Sequence, residues 1–249
     1  MTLSDAFLAR PIAHRALHGP GRPENSPSAL RAAVEAGYGI EVDLQPSADG
    51  VPMVFHDEDL TRLTGVEGPV MARTAAELGS LPLLGGGGEG IPTFAEVLGA
   101  VAGRVALLVE VKDQDGTLGP RVGALEEAAA RAAHGYEGPL AFMSFNPHSV
   151  LALRDLAPGV PRGLVTAAFD PEGWAPVPEA TCERLRGIPD YDAAGASFVS
   201  HEARDLPRPR VAELKREGAR VLCWTIRSPE EERAARRVAD NVTFEGYLA

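Results

Sequence analysis

Short apolar runs alternate with longer amphipathic stretches along the whole chain. The short runs, at Pro11–His14, Gly39–Leu44, Pro52–His56, Val105–Val111, Leu140–Ser144, Arg162–Thr166, Ala196–Ser200, Arg220–Ile226 and Val242–Glu245, read as β-strands. The stretches Ser26–Ala36, Thr93–Val101, Leu118–His134, His148–Leu156, Glu179–Arg186, Arg210–Glu217 and Pro229–Val238 read as helices. Ser26-Pro27 and Ser228-Pro229 each offer an N-cap hydroxyl followed by a first-turn proline, and Glu230–Glu232 complements the dipole of the last helix. Strands that alternate with helices build a parallel sheet covered by helices. Nine strand candidates are one more than a closed eight-stranded barrel holds. About seven residues separate Leu44 from Pro52, with Asp49-Gly50 between them, too few for the crossover that a parallel neighbour needs. Pro52–His56 must then return antiparallel as a hairpin, and eight strands remain. The expected architecture is a (β/α)8 barrel, a single domain over residues 1–249, with an insertion at about 45–92 over the C-terminal mouth; roughly 250 residues is the usual size of such a barrel.

Composition agrees with a globular chain: 249 residues, 45% hydrophobic and 24% charged, with 2 cysteines. Cys182 and Cys223 read as free thiols. No apolar run reaches the ~18–20 residues of a membrane helix, and MTLSDAFLARPIAHR lacks the basic start and apolar core of a secretory signal, so a cytoplasmic protein is expected. A net charge of -11 disfavours nucleic acid and anionic lipid as partners. A phosphate-bearing small molecule would need local positive charge, from particular arginines, from Lys112 (Lys215 is the only other lysine) or from a bound cation.

The candidate chemistry sits at strand ends. Glu41 and Asp43, two apart on one strand, share a face while Val42 and Leu44 take the other. They are either acidic residues on a solvated edge or a carboxylate pair turned into the barrel, where a cation or a proton must separate their charges. The hairpin should bring His56 opposite Glu41 or Asp43, where an imidazole is a ligand or a proton-transfer group, unless His56-Asp57 simply opens a turn. Glu110 and Lys112 share a face at the end of the apolar strand VALLVEV, as an ion pair or as part of a metal-and-phosphate site. Three carboxylates from two strands form a hard oxygen set suited to Mg²⁺ or Ca²⁺. His14 and Arg15 end the first strand, where barrel enzymes keep catalytic groups; a core histidine and a surface arginine are the plain alternatives. His18 reads as a loop residue. Trp224 is either an apolar floor for a substrate's carbon chain or a structural indole. The glycine run LLGGGGEG at Leu83–Gly90 is a loop and no phosphate-binding loop, since no Gly-Lys-Ser/Thr follows; neither a Gly-x-Ser-x-Gly nucleophile motif nor a zinc-type Cys/His cluster occurs.

His14-Arg15, Pro23-Glu24-Asn25, Glu41-x-Asp43, Asp49-Gly50-x-Pro52, His56-Asp57, Ile91-Pro92-Thr93, Glu110-x-Lys112, Ser144-Phe145 and Trp224-Thr225 follow one another in an order and spacing that resembles the glycerophosphodiester phosphodiesterase family. The resemblance implies a TIM barrel that hydrolyses glycerophosphodiesters to glycerol 3-phosphate and an alcohol. It implies one divalent cation (Mg²⁺, Ca²⁺ or Mn²⁺) on Glu41, Asp43 and Glu110, acid/base roles for His14 and His56, and phosphate binding by Arg15 and Lys112. Trp224 then contacts substrate, while Glu24, Ser144 and Phe145 support the site. The expected partner is a glycerophosphodiester, without nucleic acid or stable membrane association. Rival readings are a related barrel phospholipase acting on lysolipids and a barrel that binds glycerophosphodiesters without cleaving them. Four positions depart from the family pattern: Ala16 for Gly, Ser26 for Thr, Arg227 for Asn, and Glu245 near a position usually held by Asp. A basic Arg227 at the mouth suggests preference for an anionic head group over choline.

Overall fold

The structure, a computed structural model, describes residues 2–249. Among the described residues there are nine strands: β1 (Ile12–Ala13), β2 (Gly39–Pro46), β3 (Pro52–Val54), β4 (Leu107–Val111), β5 (Leu140–Ser144), β6 (Arg162–Thr166), β7 (Phe198–Glu202), β8 (Arg220–Ile226) and β9 (Asn241–Phe244). All except β3 pair in parallel, and β1 pairs with both β2 and β9, which closes an eight-stranded barrel. Helices Pro27–Ala36, Phe94–Val101, Ala124–Ala133, Pro147–Leu156, Glu179–Leu185, Pro209–Arg216 and Pro229–Ala235 lie between consecutive barrel strands, the arrangement of a TIM barrel.

Side-chain alternation divides the core. Ile40, Val42, Leu44, Val109 and Val111 point outward and pack with Leu30, Phe94, Val97 and Leu125 of the helices. Leu108, Ala141, Met143, Val165, Phe198 and Leu222 fill the inside, and Leu3 and Phe7 from the N-terminal segment close its lower end. The segment after β2 has a small core of its own, built on Met53, Phe55, Leu60, Val70, Leu78, Leu83 and Ile91. Cys182 and Cys223 are free and buried.

Two expectations need correction. The helix expected at Leu118–His134 starts only at Ala124. Ahead of it Leu118 adopts a left-handed backbone, and the Asp115 carboxylate accepts N–H bonds from Gly119 and Arg121, diverting the amides a helix would use. The hairpin forms, but in the register Leu44–Val54, Gln45–Met53, Pro46–Pro52. That register sets Phe55, not His56, against Asp43, through a Phe55 N–H to Asp43 carbonyl bond of 3.0 Å. Because β1 is only two residues long, the edge of β2 beyond Ile40 is open to the returning hairpin. His56 therefore leaves the strand at the height of the barrel mouth and reaches its centre from a loop.

Candidate active site

The charged centre of the site is built from β1, β2, β4 and the residues just past them. Glu41 and Asp43 project inward from β2, and Glu110 projects from β4 at the level of Asp43. All three are buried, and one oxygen from each lies within 4.8 Å of the others. Lys112 Nζ, from the loop just past β4, sits 2.7 Å from both Asp43 Oδ1 and Glu110 Oε1. Past β1 the chain turns sharply through left-handed Arg15 and Ala16. The turn lets the Arg15 amide donate to Glu41 Oε2 at 2.9 Å and brings its guanidinium over the mouth, 2.9 Å from Glu24 Oε1 and 3.7 Å from Asp43 Oδ2. Ala16, where the resemblance has glycine, thus holds a backbone conformation that favours glycine, at a modest cost of about 1–2 kcal/mol.

Electrostatics show how heavily charged this small space is. Burial, together with Asp43 and Glu110 beside it, holds the Glu41 carboxyl well above the usual carboxylate range. Burial also raises Glu110, with Lys112 offsetting part of the effect. At Asp43 burial is outweighed by Lys112, His56 and Arg15, and the group stays ionised below its ordinary value. Lys112 is raised, the two carboxylates overcoming its burial. The three carboxylates fit a divalent cation on two counts. Their donor spacing is within about twice a 2.4 Å metal–oxygen distance. Two of them are also oriented from behind, Glu41 by the Arg15 amide and Asp43 Oδ2 by Asn25 Nδ2 at 2.9 Å.

Both histidines have a carboxylate at Nδ1. His14 Nδ1 donates to Glu245 Oε2 at 2.6 Å, which leaves Nε2 for the cavity that His14 lines. His56 Nδ1 lies 2.8 Å from Asp57 Oδ1. Burial lowers both rings below an ordinary histidine; Glu245 partly counteracts this at His14, while Lys112 adds to it at His56, which falls to about 4.

His14, Arg15, Glu41, His56, Glu110, Lys112, Phe145 and Trp224 line one cavity of about 180 Å³. Glu24 stands behind it, accepting from Arg15 and from Arg62, so that it steadies the guanidinium. Ser144 does not reach the cavity: its hydroxyl donates to the Val111 carbonyl at 2.6 Å and ties β5 to the end of β4. Arg227, read above as a lure for anions, meets Glu245 Oε1 at 2.7 Å, so its charge is answered within the chain. Three residues that sequence reasoning did not single out belong to the neighbourhood, together with one that it named without a role. Asn25, the last residue of the Pro23-Glu24-Asn25 motif, is buried on Asp43 and has a left-handed backbone. Arg62 reaches Glu24 and Asp57. Ser200 and Thr243 line the same cavity, and the only trace of them in the sequence is a hydroxyl alternating with outward apolar neighbours. His18, expected as a loop residue, lies 3.6 Å from Glu245 Oε2.

Comparison with known proteins bears on the family and the fold. The model of the glycerophosphoryl diester phosphodiesterase family matches residues 14–242. A glycerophosphodiester phosphodiesterase from Caldanaerobacter subterraneus subsp. tengcongensis is 34% identical over 172 residues, covering 66% of this chain and 69% of that one. A Bacillus subtilis protein of the same name is 26% identical over 242 residues, covering 86% and 80%. Among solved structures, an Oleispira antarctica phosphodiesterase in complex with the product sn-glycerol-3-phosphate superposes with a TM-score of 0.79 at 25% identity, covering 96% of this chain and 94% of that one. A Thermotoga maritima glycerophosphodiester phosphodiesterase shares the fold with a TM-score of 0.71 at 22% identity, with 94% of each chain covered.

Proposed function

This chain belongs to the glycerophosphoryl diester phosphodiesterase family and is a phosphoric diester hydrolase; from that premise we propose that it cleaves glycerophosphodiesters to glycerol 3-phosphate and an alcohol with a divalent cation and two histidines. The observation that carries the proposal is the convergence of Glu41, Asp43 and Glu110 within 4.8 Å of one another beneath His14, Arg15, His56 and Lys112. A cation on the three carboxylates supplies Lewis-acid polarisation of the phosphoryl oxygens. Arg15 and Lys112 hold the phosphate and offset the negative charge that grows on it in the transition state. The reaction breaks the bond from phosphorus to the head-group oxygen and forms one to the attacking hydroxyl. One imidazole accepts the attacking group's proton and the other protonates the departing alkoxide, a pair typically worth about 10²–10⁴-fold in rate. Carboxylates at both Nδ1 atoms keep the Nε2 atoms available for those transfers.

A second, wider groove of about 740 Å³ shares His56, Glu110, Lys112 and Phe145 with the cavity and opens outward past Asp57, Glu58 and Asp59. The groove has room for the variable head group, and the cavity takes the glycerol phosphate. The test is turnover of glycerophosphocholine, -ethanolamine, -glycerol and -inositol with and without EDTA, in the wild type and in His14→Ala, His56→Ala and Glu110→Gln. The expected result is metal-dependent release of glycerol 3-phosphate. Each histidine variant should lose it while still binding metal, and Glu110→Gln should bind metal weakly. Wild-type rates in either histidine variant would overturn the assignment.

A further inference from the structure

Two hydroxyls on the inner wall of the barrel have no partner among the described residues. Thr243 in β9 stands between Val242 and Phe244, and Ser200 in β7 follows Val199; those three neighbours pack outward beneath the helices. Alternation therefore turns Thr243 and Ser200 inward. Both are fully buried, at 1% and 0% exposure, and neither Thr243 Oγ1 nor Ser200 Oγ makes a hydrogen bond. Around them the wall is apolar: Met143, Val165 and Trp224 line the same cavity, with Leu108, Ala141 and Leu222 in the interior core next to them. An unbonded buried hydroxyl costs about 1–3 kcal/mol, and valine or alanine at either position would avoid that cost. The Trp224 indole N–H donates to the Ser200 carbonyl at 2.9 Å, so the indole wall and the β7 hydroxyl are set in place together.

These hydroxyls come from β7 and β9, whereas Glu41, Asp43, Glu110 and Lys112 come from β2, β4 and the residue after it. Arg15 and Lys112 line the same cavity as Ser200, Thr243 and Trp224. The cavity, about 180 Å³, is small beside the ~300–1,000 Å³ of ordinary ligand pockets, which suits the three-carbon unit common to every substrate rather than a varied head group. We infer that Ser200 Oγ and Thr243 Oγ1 form a polyol subsite, hydrogen-bonding the free hydroxyls of the glycerol half of the substrate while Trp224 packs on its carbons. The inference rests on the proposed function for the identity of the polyol. Hydroxyls on a head group such as inositol have the same chemistry, and the test separates the two sources.

The metal-loaded protein is titrated calorimetrically with sn-glycerol 3-phosphate and with propyl phosphate, which has the same phosphate and carbon chain but no free hydroxyl. The wild type should bind glycerol 3-phosphate about tenfold or more tightly than propyl phosphate. Ser200→Ala and Thr243→Val should each weaken glycerol 3-phosphate about five- to tenfold and leave propyl phosphate within about twofold, while Thr243→Ser, which keeps the hydroxyl, should bind like the wild type. Equal losses for both ligands, or no loss for glycerol 3-phosphate, would overturn the subsite. So would an effect confined to KM for glycerophosphoinositol against glycerophosphocholine, which would move the hydroxyl contact to the head group. Binding is read without turnover. A wild type that binds glycerol 3-phosphate selectively yet cleaves no glycerophosphodiester would sink the catalytic reading and leave the subsite standing.

Discussion

Glu245 lies 231 positions from His14 in the chain and 2.6 Å from it in space, and it holds Arg227 on its other oxygen. The carboxylate is kept ionised, well below its usual range, by the hydrogen bond from His14 and the charges around it. Its effect on His14 runs the opposite way: burial lowers the imidazole and Glu245 raises it. Removing that negative charge leaves burial less opposed, so the ring protonates only at lower pH. Glu245→Gln, which can still accept the Nδ1 hydrogen bond, should therefore lower kcat about 10- to 100-fold, with little change in KM, and move the limb of the kcat profile that belongs to His14 to lower pH. Steady-state rates from about pH 5 to 9 would show it. Glu41 offers a second check. Its raised carboxyl is protonated over a wider pH range than a free glutamate, and a cation must displace that proton. Metal affinity should fall as pH drops, and binding should release protons, seen as a calorimetric heat that changes with the ionisation enthalpy of the buffer.

At the scale of elements, β6 and β7 meet through glycine. An ideal Cβ on Gly163 would lie 2.4 Å from the Phe198 ring, whose side chain fills the interior below the cavity. The ring has little room to move because Ala106, Leu108 and Leu222 belong to the same packed layer. Gly163→Ala should cost about 1–3 kcal/mol of stability by overpacking, read as a lower urea midpoint at unchanged m-value. The hairpin is another case where element length matters. Its existence was legible in Asp49-Gly50 and the short span from Leu44 to Pro52, but its register was not. The two-residue length of β1 opens the edge of β2 to which β3 pairs, and the pairing is set by that edge and by Phe55 entering the insertion's own core.

Across the whole molecule, charge bears on which diesters are cleaved. The chain carries -11, the outer groove exposes Glu58 and Asp59, and the arginines nearest the head group are paired, Arg62 with Glu24 and Asp57 and Arg227 with Glu245. Glycerophosphocholine and glycerophosphoethanolamine should therefore have higher kcat/KM than glycerophosphoglycerol or glycerophosphoinositol. The ratio should shrink as salt rises from about 0.01 to 0.5 M, because screening shortens the reach of these charges. A salt-independent ratio would assign the preference to direct contacts instead.

Much of this protein was written in local pattern. A two-residue period turns Glu41, Asp43 and Glu110 to one side and Val42, Leu44, Val109 and Val111 to the other, and it does so whatever the rest of the chain does. Strand and helix order, the hairpin and the shared face of the carboxylates are consequences of that period and of turn chemistry. Barrel closure decided the remainder. It sets β9 beside β1 and so gives His14 its Glu245 and Thr243 its view of the cavity. It also carries His56 into the mouth from a loop rather than a strand. Such contacts join residues far apart in sequence, and their partners exist only once the sheet has wrapped round and its last strand has met its first.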